Sequence, residues 1–412
     1  MKTIIISLIL FIIIILHTIV ENKKYKEAYK DTLFKKVKKL QITLYILSFI
    51  AFFICLIINV SNQAILNTTT IILNCISIVI LILPLSLNNL YLKYFKDEEK
   101  YSHIKTIVTN IYDKKLYKDF NKADINIIYI GKESPDNKIK TIEEKDIKVS
   151  LLKKNLHINT TNKKIVDKYL KDNTSIKEFD NLDNIYNIIK NARGTHDNFI
   201  RSLTYILRTY LSLIISYLLL LAAGFPIEYN LLCILSIKVL TIITSHYLYN
   251  KLPHDKDIME RKVKDKNILL GTQEIFLTTI EAFVIAFVCL VPYMYAISQG
   301  GTQALGNTLY LVTFICTQVL ITFSKLNDSF FIINIIKSYK NLRLIIYTIF
   351  SIILVILLNK TTLLNTRNIE LQNNISCLVL SLIPIIFVEL TKLARFSTKK
   401  GKKKHELKNN KK

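Results

Sequence analysis

The feature that most constrains this chain is the repeated recurrence of uninterrupted apolar blocks, each about 18 to 25 residues long, the length a helix needs to cross a bilayer. Backbone polar groups in hydrocarbon must be satisfied within the segment, so blocks of this kind predict helices packed as a bundle. The blocks read as Thr3 to Val20, Ile42 to Val60, Thr70 to about Tyr91, a pair on either side of Gly224, Phe225 and Pro226, and then Glu274 to Ser298, Leu305 to Phe323, Leu342 to Leu358 and Ser376 to about Ala394. The expected architecture is mainly α: a polytopic membrane helix bundle of about nine spans, with one small α/β or α+β cytosolic domain.

Charge placement decides between membrane and nucleic acid. The net charge of +25 lies mostly in loops beside the apolar blocks and in the tail KKGKKKHELKNNKK, a positive-inside arrangement and not a recognition face. The reading therefore includes membrane lipid and another membrane protein as partners, and no nucleic acid. It puts the chain in the cell membrane with its N-terminus outside and C-terminus cytosolic, although Lys360 and Arg367 fall in an outer loop. The first block lacks a small-residue cleavage site and reads as a retained helix. Cys55, Cys75, Cys233, Cys289, Cys316 and Cys377 all sit in apolar blocks without C-x-x-C spacing, which reads as buried small hydrophobes and neither a disulfide framework nor a metal site.

Between Tyr91 and Thr195 the periodicity changes. Alternating runs near Ile125 (INIIYIG), Asp146 (DIKVSLL) and Leu156 (LHINT) predict strands, and Lys163 to Leu170 predicts a helix. The domain reading is residues 1–90 for three spans, 91–195 for the cytosolic domain, 196–396 for six spans and 397–412 for a basic, disordered tail.

One longer pattern is more specific. The segment NLDNIYNIIKNARGTHDN leads into a span, turns at Gly224–Phe225–Pro226, and returns to a loop carrying Asp257, Ile258, Met259, Arg261, Leu269 and Leu270. In this order and spacing the chain resembles the transmembrane core of the P-type cation-transporting ATPases, in the calcium-pump-like branch. The run ILHTIVENKKYKEAYKDTL resembles the family's second helix, ILILPLSLNNL the P-E-G-L break in its fourth, and VELTKLARF its closing helix.

The resemblance also shows what is replaced. It implies a phosphorylated aspartate in D-K-T-G-T, a T-G-E-S loop and a G-D-G-x-N-D magnesium loop, and none of these motifs occurs. Asp113 and Lys114 read either as a relic of the first or as ordinary turn residues, and the strand near Asp124 is open to the same two readings. Pro84 keeps the helix break, but Leu85 stands where the family has glutamate. Tyr210 and Leu213 stand at ligand positions of the fifth helix, and Lys238, Thr241 and Ile242 at those of the sixth. The expectation is a catalytically inactive pseudo-ATPase with no catalytic residue, no cofactor and no bound metal, acting as a scaffold or regulator. The alternative is an ATP-independent transporter of an ion, proton or small polar ligand.

The candidate polar core is Lys238, Thr241 and Ser245 on one helical face, with Glu281 and Gln318 on neighbouring spans. An ammonium at mid-membrane costs about 3 kcal/mol or more unless paired, so Glu281 is expected to pair with Lys238. That pair reads either as a structural clamp or as part of a polar-ligand site. Gln318 reads as a helix-to-helix hydrogen bonder, and Glu389 with Lys392 as an i,i+3 pair.

Overall fold

The computed structural model describes residues 34–44, 46, 50, 99–132, 136, 139–143, 156–159, 182–225, 237, 240–241, 243–249, 252–255, 257–261, 269–326, 329–338, 341–360 and 368–394. Pro84, Lys238, the strand expected near Asp146, the helix Lys163 to Leu170, the first block, most of the next two and the basic tail lie outside the described residues.

The polar interval folds around a parallel sheet. A short helix α1 (Glu99–Ser102) precedes β1 (Thr106–Thr109), α2 (Lys114–Lys122), β2 (Asn126–Ile130), β3 (Lys140–Ile142) and β4 (Leu156–Asn159). The strands lie in the order β3-β2-β1-β4. Thr106 pairs with Asn126 on one side and Leu156 on the other, and Ile128 pairs with Lys140, all in parallel. Parallel neighbours need a crossover, and α2 supplies the one between β1 and β2. The sheet is thus of the α/β kind, the first of the two alternatives the sequence left open. β2 and β4 fall in two of the expected runs; β1 (TIVT) sets its two apolar residues side by side and β3 (KTI) holds one, so neither shows an alternating pattern.

From Leu182 the chain enters α3 (Leu182–Ala222), a continuous helix of 41 residues. Its first turns are amphipathic. Leu182, Ile185, Ile189 and Ala192 are buried with Ile107, Leu116, Phe120 and Ile125 of the sheet domain, together with Ile258 and Met259 of the later loop. Its second half turns apolar and enters the central core of the bundle. One helix therefore belongs to both compartments. Gly224, at φ +69°, ends it in the left-handed region where only glycine is unstrained. A π-helical turn (Ile243–Leu248) and a 3-10 turn (Ile258–Glu260) follow.

The remaining helices are α4 (Thr272–Ser298), α5 (Gln303–Ser324), α6 (Phe331–Ser338), α7 (Leu342–Lys360) and α8 (Leu371–Ala394), the last interrupted at Ser381. The Glu274 side chain accepts from Gly271 N at 3.2 Å, and Thr302 caps α5 by accepting from Leu305 N at 3.3 Å. Between α4 and α5, Gly300 at φ +75° makes the turn.

Among the described residues, four helices are long and apolar enough to cross a membrane: Leu182–Leu220, Thr272–Ser298, Gln303–Ser324 and Leu371–Ala394, with Leu342–Leu358 a shorter apolar one. The other spans expected from the sequence fall in stretches wholly or mostly outside the described residues. α5 sits at the centre of the bundle. Tyr310, Leu311, Phe314, Ile315 and Ile321 on it are buried against Tyr205, Leu213, Ile285, Cys289 and Tyr347. α4, α7 and α8 instead leave Phe283, Phe287, Ile349, Ile352, Ile383 and Ile386 exposed on their outer faces. A soluble bundle would bury such a ring, whereas lipid tails solvate it.

Candidate functional site

The described residues carry two networks of charge on α3, separated by two turns of helix. The first joins the sheet-domain end of α3 to the loop that follows the π turn. Arg201 donates to Asp255 at 2.6 Å, and Arg261 reaches Asp197 at 2.9 Å, Asp255 at 2.8 Å and Asp257 at 2.6 Å. Burial opposes the Arg261 charge, but hydrogen bonds to Asp257 and Asp255 outweigh it and raise its pKa above the ordinary arginine value. Arg193 adds a third tie: one guanidinium nitrogen donates to Arg261 O at 3.3 Å and the other to Ala123 O at 3.0 Å, beyond the end of α2. Asn198 donates to Leu252 O at 2.9 Å. Gly194 fits this junction because a Cβ there would lie 2.0 Å from His254 Nδ1.

The second network lies inside the bundle. Arg208 on α3 donates to Glu281 Oε2 on α4 at 2.8 Å, and Lys325 at the end of α5 donates to Glu281 Oε1 at 2.6 Å. The Arg208 and Glu281 side chains are 3% and 4% exposed, against 24% for Lys325. Removing two such ions from water is repaid only by good geometry, which the carboxylate achieves by spending one oxygen on each cation. The partner expected for Glu281 was Lys238. Among the described residues, Arg208, two turns deeper on the same helix as Arg201, holds one Glu281 oxygen and Lys325 the other. Lys238 itself lies outside the described residues.

The other expected residues fall close by. Thr241 and Ser245 are buried and bond their own helix, Thr241 Oγ1 to Ile237 O at 2.7 Å and Ser245 Oγ to Thr241 O at 2.6 Å. Ser202 on α3 donates to Ser245 O at 2.9 Å. Gln318 is fully buried, and its Oε1 accepts from Thr209 at 3.3 Å across the α3–α5 contact. Lys392 donates to Glu389 at 2.8 Å, three residues away, as well as to Ser324 O and, at 2.9 Å, to Ser329 O. Ser324 Oγ donates to Glu389 at 2.6 Å, so this pair ties α8 to the end of α5.

Sequence reasoning missed Arg208 and Lys325. The signal for Arg208 was present: it sits seven residues from Arg201 and so shares its helical face, and it is followed by an apolar run. Lys325 ends an apolar block, where a lysine ordinarily reaches back to the interface, and nothing local marks it as a partner of Glu281. The buried tyrosines Tyr205, Tyr249 and Tyr347 also surround this level of the bundle.

Among the described residues, no group of three His, Cys, Asp or Glu side chains is placed to hold a metal ion. Asp113, the position compared with the family's phosphorylated aspartate, caps α2: its Oδ1 accepts from Lys115 N at 2.8 Å and Leu116 N at 3.1 Å. That geometry spends one oxygen of the carboxylate on the start of α2. No curated protein matches the chain. Residues 229–394, which run from the turn after α3 through α8, match the family model for the cation transporting ATPase C-terminus, and on that match this part of the chain is a P-type-ATPase-like transmembrane region.

Proposed function

We propose that the protein is a catalytically silent member of this pump-like group that works by binding, as a scaffold or regulator of another membrane protein or transporter. The observation that carries the reading is the closed charge at Glu281. A pump needs carboxylates at the level of its ion path that a metal cation can reach, because a hard cation is held by oxygen ligands and net negative charge. Here the carboxylate is held by Arg208 and Lys325, two cations to one anion, and an incoming divalent cation meets repulsion. The missing D-K-T-G-T, T-G-E-S and G-D-G-x-N-D motifs support the same reading. The cytosolic domain is proposed as the part that reports to, or receives from, a partner, since Arg193 and the Asp257–Arg261 loop tie it firmly to α3. The positive-inside charge pattern supports a cytosolic C-terminus.

The test is photo-crosslinking from the outer faces of α4 and α7 in native membranes, followed by identification of the captured chain. Capture of one defined membrane protein, lost when residues 99–159 are deleted although the protein still reaches the membrane, supports the proposal. A second reading, an ATP-independent transporter, is favoured by unsatisfied donors within the bundle. Tracer flux in proteoliposomes without ATP distinguishes it.

A further inference from the structure

We infer that α6 is a membrane-surface anchor: it lies along the boundary of the leaflet on the sheet-domain side and sets four isoleucines among phospholipid acyl chains. The inference goes beyond the scaffold reading and does not depend on it. It starts from how the helix is held. α6 has eight residues, FIINIIKS, and its length of about 12 Å at the α-helical rise is too short to cross hydrocarbon. Its inner side is fixed by packing and by one amide. Phe331 packs against the central core of the bundle. Asn334 is buried, and its Nδ2 donates to Phe323 O, Ser324 O and Ser329 O, each at 3.1 Å. Those carbonyls belong to the end of α5 and the turn that follows it. Phe331 and Asn334, three residues apart, share one helical face, so Ile332, Ile333, Ile335 and Ile336 are turned away from the bundle and are between 40% and 69% exposed.

The place of α6 in the bundle gives its level. Lys325, just past the end of α5, bonds Glu281 in the first half of α4, so α5 returns to the side on which α4 began, the side of the sheet domain. α6 follows that end, and α7 starts from it at Leu342. The chemistry of the outer face selects what covers it. Four aliphatic side chains are a costly surface to leave in water on so short a helix. A protein partner is ordinarily held by Trp, Tyr or Arg at the centre of the contact, and this face offers isoleucine alone. The apolar surface also continues along the chain: Leu342, Ile345, Ile346 and Ile349 at the start of α7 are exposed as well, and lead into Ile352 and Ile353 on the face that lipid tails solvate. A short helix with one apolar face, placed next to such a surface, is accommodated by lying in the interface with that face in the acyl boundary. Asn334 sets the orientation, because tying the opposite face to the α5 carbonyls leaves the isoleucines only the lipid side. The turn anchored in this way carries Lys325, which holds one oxygen of Glu281.

The test uses the full-length protein reconstituted in phosphatidylcholine vesicles. The chain has no tryptophan, so one introduced on α6 is the sole indole. Ile332→Trp and Ile336→Trp, made separately, replace exposed side chains and leave Asn334 in place. Ile353→Trp, midway along α7, sets the depth scale. Emission excited beyond the tyrosine band is followed with iodide in the water, and with lipids brominated either near the headgroup or near the chain end. Both α6 variants are expected to emit to the blue, to resist iodide, and to be quenched more by bromine near the headgroup than by bromine near the chain end, the reverse of the order in Ile353→Trp. Quenching by iodide and by neither brominated lipid would mean that the isoleucines face water, and the inference fails. Emission that no quencher reaches would mean that protein covers the face, which also overturns it. A bromine preference equal to that of Ile353→Trp would put α6 deep in the hydrocarbon and contradict an anchor at its boundary.

Discussion

The two charge networks on α3 use the same chemistry in different solvents. At the junction with the sheet domain, four carboxylate contacts surround Arg201 and Arg261, and the Arg261 side chain remains 29% exposed. Two turns deeper, Arg208 meets Glu281 with both side chains at 4% exposure or less. In the first, water and salt compete with every contact, so any one of them is worth little alone and the set works as a clasp between helix and loop. In the second, removing one partner leaves an ion stranded among apolar side chains, and the loss is far larger than the pair itself contributes. The comparison teaches that the inner network sets the register of α3, α4 and α5, while the outer one couples the helix to the cytosolic domain.

The comparison breaks first at Glu281. Glu281→Leu strands Arg208 and is expected to cost about 3–5 kcal/mol in detergent unfolding, with most of the loss recovered in Arg208→Met/Glu281→Leu. A single variant as stable as wild type would remove the distinction between the networks. Next is Gly194→Ala at the junction, where the new methyl collides with His254. A loss of about 1–3 kcal/mol is expected, and His254→Ala in the same chain should relieve it. Gly224→Ala places a side chain at φ +69° after α3 and is expected to cost about 1–2 kcal/mol by the same measurement. Arg261→Ala should have the smallest effect on global stability, about 1 kcal/mol, diminishing as salt is raised. Its sharper readout is local: amide exchange in Ile258 and Met259, buried against α3, should speed up while α5 stays protected. Equal salt sensitivity of the Glu281 and Arg261 variants would mean that burial does not separate the two networks.

What could be read from the sequence follows the same division. Apolar blocks and glycine turns are local signals, so α4, α5, α7 and α8 and the turn at Gly224 were placed within a few residues. β2 was readable from its apolar run NIIYI and β4 from the alternation of Leu156 and Ile158. β1 and β3 were not, since TIVT and KTI carry no such pattern and are defined by their neighbours in the sheet. α6, eight residues of FIINIIKS, was overlooked because it is too short to span and too apolar to read as a loop. The site was partly legible: Glu281, Gln318, Thr241 and Ser245 stood out as polar groups in apolar blocks. Their partners did not, because pairing across 73 residues of chain, from Arg208 to Glu281, depends on helix packing that no local pattern reports. A lysine in mid-block attracted the expectation for Glu281, while an arginine at a block's edge and a lysine just past a block's end supplied the actual contacts.

The central claim is that a pump-like bundle is kept here with its charge closed on itself and without phosphoryl-transfer chemistry. The most direct measurement is incorporation of label from γ-labelled ATP into the purified, lipid-reconstituted protein, with magnesium and with calcium present or chelated. The account predicts no acid-stable, hydroxylamine-sensitive label under either condition. A calcium-dependent phosphoenzyme that disappears in Asp113→Asn would contradict it.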